Sequence, residues 1–289
     1  MISCLGIIGG SGLYNLNGLK NAKWLKIETP WGHPSDEILS GELNGIKINF
    51  IPRHGRGHYY SPSTVPYKQN IFALKKLGVT EILSVSACGS LREDLKPGDF
   101  VLVDQFIDKT YLRENSFFGK GCVAHVSLAN PTCNRLSKIV FEIGKKLNIK
   151  IHFGGTYMTM EGPQFSTMAE SKLYKDNWNC DVIGMTNMPE AKLAREAEMC
   201  YSSLSMVTDF DCWHPDHDSV EVSDIIETLT NNSSKAQNII ENLPTYLMKS
   251  RNDCKSGCNK ALDNAIITSP EQRDKKLIKE LDLLLQRLS

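Results

Sequence analysis

The 289-residue chain carries 33 Lys and Arg against 33 Asp and Glu, so its formal net charge is zero. That balance gives no electrostatic footprint for nucleic acid or an anionic membrane surface. No apolar run approaches the roughly 20 residues that cross a bilayer, the first residues carry no basic segment or cleavage pattern, and nine scattered cysteines do not read as a secreted disulfide framework. The expected compartment is the cytoplasm, with the nucleus as a second.

Residues 2–8 form a short apolar run ending in Gly9-Gly10-Ser11-Gly12, which predicts a buried strand and a tight turn. Residues 37–52 alternate about Asn44-Gly45, a strong hairpin signal because both turn positions favour positive φ. A helix is expected over 66–77, a strand over 81–86 that ends in Ala87-Cys88-Gly89-Ser90, and another strand over 100–107. Helices follow over 131–147, 168–175, 189–199 and 222–243, with strands over 154–160 and 201–208. Residues 249–260 are polar and glycine-containing and predict a variable loop. Residues 270–288 carry leucines at helical spacing, with Ser269 as N-cap and Pro270 at the first helical position. This alternation predicts one α/β domain over 1–289, with a mixed central sheet flanked by helices.

In open α/β sheets, ligands bind beyond the carboxyl ends of the strands. Four such ends are chemically suggestive. Gly9-Gly10-Ser11-Gly12 can wrap an anion with backbone N–H groups and the Ser11 hydroxyl, or serve as a structural turn; it fits neither the dinucleotide fingerprint nor the phosphate-binding loop of nucleotide triphosphatases. Arg53-His54-Gly55-Arg56-Gly57-His58 packs four potentially cationic groups into six residues and favours anion binding. The 86–90 end is small and polar. Asp209-Phe210-Asp211 places two carboxylates on one side of an extended segment, for a metal or for proton transfer to a nitrogen base. Nearby His214, Asp216, His217 and Asp218 carry only a weak metal signal. Cys254 and Cys258, spaced C-x3-C, have no second ligand pair in the sequence, so free thiols and no metal are expected.

Taken in order, Gly6-Ile7-Ile8-Gly9-Gly10-Ser11-Gly12-Leu13, Arg53-His54-Gly55-Arg56, Ala87-Cys88-Gly89-Ser90-Leu91-Arg92, Glu161-Gly162-Pro163-Gln164-Phe165, Met185-Thr186 and Thr208-Asp209-Phe210-Asp211-Cys212-Trp213 resemble the trimeric purine nucleoside phosphorylase family, and within it the members that cleave methylthioadenosine. The resemblance spans roughly residues 4–245. It implies a sheet that partly closes like a barrel, a homotrimer, no metal or organic cofactor, and phosphorolysis of 5′-methylthioadenosine to adenine and 5-methylthioribose-1-phosphate, a step of purine and methionine salvage. It implies that Ser11, Arg53, His54, Ser86, Ala87 and Thr186 hold phosphate. Met185 would line the ribose, Phe165 would stack on the base, Cys88 and Gly89 would flank it, and Asp209 and Asp211 would face its N7 and 6-amino edge. Asp209, with Ser11 and His54, would carry the catalysis.

The 6-oxopurine members of that family typically carry glutamate where Ser166 stands and asparagine where Asp209 stands, so this pair points to adenine. Where those relatives place a histidine near the ribose 5′-hydroxyl, this chain offers Val222 and Ile225, which suit a methylthio group. His125 is expected to close that pocket from a neighbouring subunit, and Leu284 and Leu285 on the last helix are candidate lid residues. The alternatives are a phosphorylase of the same family acting on adenosine or 6-oxopurine nucleosides, and a non-catalytic nucleoside-binding protein.

Overall fold

The computed structural model describes residues 4–10, 13, 16–214, 222–249 and 254–288. Strand β1 (Cys4–Gly9) is buried along its whole length, as an apolar run must be when it is covered on both faces. It lies between two parallel neighbours, β4 (Ile46–Pro52) and β5 (Glu81–Ser90). The Asn44-Gly45 turn joins β3 (Ile38–Leu43) to β4, with φ of 48° and 78° at the two turn residues. Strand β2 (Lys20–Leu25) extends that hairpin at the sheet edge and was not signalled by the sequence, because its first four residues are exposed and polar or small.

On the other side of β5 lies β11 (Cys200–Asp209), also parallel to it. Strand β6 (Phe100–Val103) runs antiparallel to β11, and β8 (Ile151–Phe153) is parallel to β6. The single strand expected over 100–107 breaks at Asp104, and its second half, β7 (Gln105–Asp108), pairs with β9 (Thr156–Thr159). Strand β10 (Val182–Gly184) joins β9 in parallel and then meets the last residues of β5 antiparallel. Because β6 and β7 are consecutive halves of one chain segment, the circuit β5–β10–β9–β7–β6–β11 returns to β5 through that chain connection, with no β7–β6 ladder among the described residues, and the sheet curls like a partly closed barrel. Its interior is a dry cluster of Cys88, Leu95, Val101, Val103, Tyr157, Val182 and Val207.

Helices close the two faces. On one side, α2 (Asn134–Lys146) turns Leu136, Val140 and Ile143 inward, and α5 (Val222–Lys249) turns Ala236, Ile239, Ile240, Leu243 and Leu247 inward. These spacings form one helical stripe, and each fully buried aliphatic side chain contributes about 1.5–3 kcal/mol by leaving water. On the other side, α1 (Tyr67–Lys76) packs with α4 (Glu190–Glu196) against the second core cluster. The short α3 (Met168–Lys172) begins at a capping box in which Thr167 and Glu170 satisfy each other's backbone N–H, then widens into a π-turn over Leu173–Asn177. Among the described residues no helix is long and apolar enough to cross a membrane.

The C-terminal part differs from expectation. Ser269 makes no cap, and Pro270–Gln272 is only a 3-10 turn. Residues 265–268 instead pair with residues 123–125 through a bridge between Ala124 and Ile266: Ile267 N donates to Val123 O at 3.0 Å and Val123 N donates to Thr268 Oγ1 at 2.8 Å. The helix starts at Asp274, whose side chain accepts from Leu277 N, and runs as α6 (Lys275–Glu280) and α7 (Asp282–Leu285). Leu284 and Leu285 are buried in the core cluster with Leu281, which corrects their expected role as a lid.

Candidate functional site

The parallel strands β1, β4, β5 and β11 end on the same edge of the sheet. Each delivers an expected site segment there. Arg53 follows β4 directly, and its backbone N donates to Gly9 O at 2.9 Å, tying the first two segments together. Ser11, the hydroxyl of the first turn, lies outside the described residues, as do His217, Asp216, Asp218 and the side chains of Val222 and Ile225.

Arg53 is 2% exposed. Its Nε donates to Glu190 Oε1 at 2.5 Å, and Nη2 donates to Glu190 Oε2 at 3.2 Å and to Ser84 Oγ at 2.7 Å. Nη1 donates to Val85 O at 3.1 Å. Four of the five guanidinium N–H groups are thus committed to the fold, leaving one for a ligand. Glu190 is itself buried and also accepts from Ser84 Oγ and Tyr201 OH, and the Arg53 charge holds its carboxyl below the usual range against the opposing effect of burial.

The four potentially cationic groups of this loop do not act as one basic patch. Burial, reinforced by the Arg53 charge, pushes His54 down to about 4, so its ring is neutral near neutral pH. Its Nδ1 is 2.9 Å from the Tyr60 carbonyl oxygen, to which only a protonated Nδ1 can donate, so Nε2 is left as an acceptor. His54 stacks on His58 with ring centroids 4.3 Å apart. Arg56 turns to the surface, where it pairs with Asp36 and Glu37 and lies over the Trp24 ring.

Strand β5 continues through Ser90 rather than ending at Ser86, so Ser86, Ala87, Cys88 and Gly89 are strand residues. The continuation is held by β10 on one edge, at Gly89 and Ser90, and by β11 on the other, as far as Gly89. Strand β10 runs antiparallel there, with Ile183 opposite Gly89, and Met185 and Thr186 follow directly after its last residue, Gly184. Ser86 Oγ and Thr186 Oγ1 are buried and have no hydrogen-bond partner among the described residues, although Thr186 lies near the Tyr157 phenol. Two buried hydroxyls left unpaired cost stability unless something fills them. Arg113 fixes the loop that carries Thr186: its Nη1 donates to the carbonyl oxygens of Met185 and Met188, both at 2.7 Å. Glu161 in turn receives Arg113 Nε, Ser63 Oγ and the backbone N–H of Tyr111 and Leu112.

A bulge at Thr208 sets the far end of the site. The register of β11 against β5 skips there, so that Val207 faces Cys88 while Asp209 faces Gly89. Bulges of this kind re-aim one side chain. Asp209 Oδ2 accepts from Thr208 Oγ1 at 2.7 Å, and Oδ1 accepts from Asp211 N at 2.8 Å. Both oxygens therefore act as acceptors. A methyl group at Gly89 would sit 2.8 Å from Asp209 Oδ1, so only glycine leaves this carboxyl its place.

The two aspartates do not share a strand face, as alternation predicted. The strand ends at Asp209, and Asp211 takes a left-handed conformation with φ of 51°. Asp211 is 3% exposed and accepts from Ser171 Oγ at 2.5 Å. Burial raises its pKa, and the Asp209 charge adds to the rise. Ser166 sits beside this pair: its hydroxyl donates to Met160 Sδ at 3.6 Å, and its backbone carbonyl oxygen accepts from Cys212 Sγ at 3.4 Å. Phe165 is exposed on the same loop. His125 is exposed and pairs its backbone N with Ala265 O; within one chain no described contact brings it to the other site residues. His214 belongs to a surface contact, 3.5 Å from Glu93 and stacked on Phe210.

The sequence reading missed Glu190, Arg113, Ser84 and Asn187, which hold Arg53 and the Thr186 loop. Glu161 stood inside a quoted motif without a role. For Glu190 the only signal would have been a buried Arg53 in need of a counter-charge, because the two lie 137 residues apart.

A phosphorylase superfamily model matches residues 5–243. The chain is 58% identical over 288 residues to the S-methyl-5′-thioadenosine phosphorylase of Cereibacter sphaeroides, covering 100% of this chain and 99% of that one. It is 55% identical over 284 residues to the enzyme of the same name from Rhodospirillum rubrum, covering 98% and 96%. Among solved structures it is similar to a methylthioadenosine phosphorylase from an antarctic soil metagenomic library, with a TM-score of 0.92, 46% identity, and 99% and 100% of the two chains covered. The methylthioadenosine phosphorylase of Schistosoma mansoni, in complex with adenine, gives a TM-score of 0.81 at 36% identity, covering 90% and 97%.

Proposed function

The chain belongs to the phosphorylase superfamily, and from that premise we propose that its site transfers the 5-methylthioribosyl group of 5′-methylthioadenosine from adenine to inorganic phosphate. The observation that carries this reading is the pair of buried hydroxyls of Ser86 and Thr186, which have no hydrogen-bond partner within bonding distance among the described residues, beside a glycine-and-arginine strand end. They are donors waiting for an anion. Ser86 and Gly89 are three residues apart, about 10 Å along a strand. That span leaves a ribose between a phosphate at the Ser86 end and a purine edge at the Asp209 end.

In the proposed reaction the C1′–N9 bond breaks with its electron pair leaving on the purine. Positive charge develops on the ribose, and a phosphate oxygen then bonds to C1′. Phosphate is held by Ser86, Thr186, the Ala87 backbone, the last free N–H of Arg53 and the Ser11 hydroxyl. The neutral His54 accepts, through Nε2, a hydrogen bond from a hydroxyl of monohydrogen phosphate or the ribose. Met185 lines the sugar and Phe165 covers the base, with Cys88 and Ser166 beside it. Asp209 hydrogen-bonds the purine N7 and 6-amino edge. As the general acid of this route, Asp209 gives N7 a proton as N9 leaves. Asp211, buried behind it, holds Asp209 in place through its backbone N–H.

The products are adenine and 5-methylthioribose-1-phosphate, which enter purine and methionine salvage in the cytoplasm. No metal or organic cofactor takes part in this route. A homotrimer fits the exposed apolar side chains of Tyr59, Tyr111 and Leu112, which an assembled surface would cover; the backbone N–H groups of Tyr111 and Leu112 donate to Glu161. In that assembly His125 reaches a neighbouring site, where Val222 and Ile225 close the methylthio pocket. Incubation with methylthioadenosine, adenosine and inosine in turn should give kcat/KM in that order. A carboxylate at 209 favours a 6-amino donor over a 6-carbonyl, so inosine turnover equal to that of methylthioadenosine would overturn the assignment of the base.

A further inference from the structure

Four cysteines that lie far apart in the sequence converge in the fold: the Sγ atoms of Cys133, Cys200, Cys254 and Cys258 all lie within 4.8 Å of one another. We propose that they form a structural zinc site, a closed tetrathiolate that clamps the C-terminal part of the chain to the core. The C-x3-C pair of the sequence lacked a second pair only because that pair comes from elsewhere.

Each sulfur stands on a fixed piece of backbone. Cys133 is the N-cap of the 13-residue helix α2, and its thiol makes no capping bond to that helix. Its backbone N donates to Tyr201 O at 2.7 Å. Cys200 opens β11, with its N donating to Thr80 O at 2.9 Å. Cys254 and Cys258 flank a tight turn closed by Gly257 N donating to Cys254 O at 2.9 Å, and Gly257 takes a φ of 67° that suits glycine. That turn folds the second pair onto the first, leaving Cys133 Sγ 3.4 Å from Cys254 Sγ.

The spacing suits one small ion. Zinc–thiolate bonds of about 2.3 Å in a tetrahedron put the sulfurs about 3.8 Å apart, so four sulfurs already within 4.8 Å need to adjust by under about 1 Å. A polynuclear iron–sulfur cluster would hold its thiolates further apart. Cys133, Cys200 and Cys258 are 0%, 5% and 1% exposed, which leaves no open coordination position and marks the site as structural rather than catalytic. The soft sulfur set selects zinc over magnesium or calcium.

The surroundings offset the charge. Four thiolates around a divalent zinc carry a net charge of about −2. Arg135 Nη2 lies 3.7 Å from Cys200 Sγ as a donor, and the positive end of α2 points at Cys133. Arg135 is itself oriented by Glu81. The ion would fix residues 254–258 against α2 and β11. The strand-like pairing of Ala265 and Ile267 with residues 123–125 then carries that anchor on to α6 and α7.

Metal analysis of the reduced full-length protein, purified without chelator, should find about one zinc per chain. C254S/C258S should lose that zinc and unfold at a lower temperature, while C180S, a buried cysteine outside the cluster, should keep it. After chelation under reducing conditions, added cobalt(II) should give the thiolate-to-cobalt charge-transfer bands of a tetrahedral site. Absence of stoichiometric metal with an octahedral cobalt spectrum would overturn the proposal. So would stoichiometric iron in place of zinc, or an intact mass about 4 Da lower than the reduced chain, which would show two disulfides instead. None of these readouts depends on phosphorolysis.

Discussion

Replacing Asp209 by asparagine should lower kcat on methylthioadenosine by about 10²–10⁴-fold, the usual contribution of a positioned general acid, with a much smaller change in KM. The substitution is nearly isosteric. Asparagine Oδ1 can still accept from Asp211 N, and its amide can face the Thr208 hydroxyl that now donates to Asp209 Oδ2. The bulge and Gly89 therefore keep their geometry, and the loss falls on the proton that a carboxylic acid can deliver and an amide cannot. Turnover within a few-fold of the natural protein would remove Asp209 from the acid role and leave it a hydrogen-bonding residue.

Replacing Glu190 by alanine should destabilise the fold by about 3–5 kcal/mol, because it strands a buried guanidinium without its counter-charge. Arg53 is 2% exposed and Glu190 is 1% exposed, so water cannot take the place of the lost carboxylate. The Ser84 and Tyr201 hydroxyls lose one of their two acceptors at the same time and keep Asn187 Oδ1, at 3.2 and 3.3 Å. In a chain of this size the loss lowers the unfolding midpoint by about 10 °C. Glutamine at 190 keeps an acceptor for those hydroxyls and should fall between the two. Either variant should also raise KM for phosphate, since Arg53 then has freedom to rotate its last N–H away. An alanine variant that unfolds within about 1 kcal/mol of the natural protein would mean that the Arg53 charge is compensated elsewhere.

What was legible in the sequence was local. The apolar run before Gly9, the Asn44-Gly45 turn and the helix over 131–147 are each written in neighbouring residues, and the structure has a buried strand, a positive-φ turn and the helix Asn134–Lys146 there. The ends of elements were less legible where long-range pairing decides. Ala87-Cys88-Gly89-Ser90 looks like a loop because its residues are small, but β10 and β11 pair with it from positions far along the chain. Ser269-Pro270 has the chemistry of a helix start, yet residues 265–268 pair with residues 123–125 and the helix starts only at Asp274.

The candidate site shows the same division. The residues that face the open edge sit in recognisable motifs, and the groups behind them do not. Glu190 behind Arg53, Arg113 behind Thr186, and Cys133 and Cys200 behind Cys254 and Cys258 are each a partnership across more than 50 positions. Alternation placed Asp209 and Asp211 on one face, and the bulge at Thr208 and the left-handed Asp211 undid that inference. The basic loop read as four cations; burial neutralises His54, and Arg56 pairs with Asp36 and Glu37 at the surface, so the buried Arg53 is the guanidinium at the end of β4.

Transfer of the sugar to phosphate at this edge of the sheet is tested most directly by phosphorus NMR of the purified protein with methylthioadenosine and inorganic phosphate. A new sugar 1-phosphate resonance should grow in step with adenine release and stop when phosphate is withheld. Adenine released at the same rate without phosphate, with free methylthioribose as its partner product, would contradict that transfer.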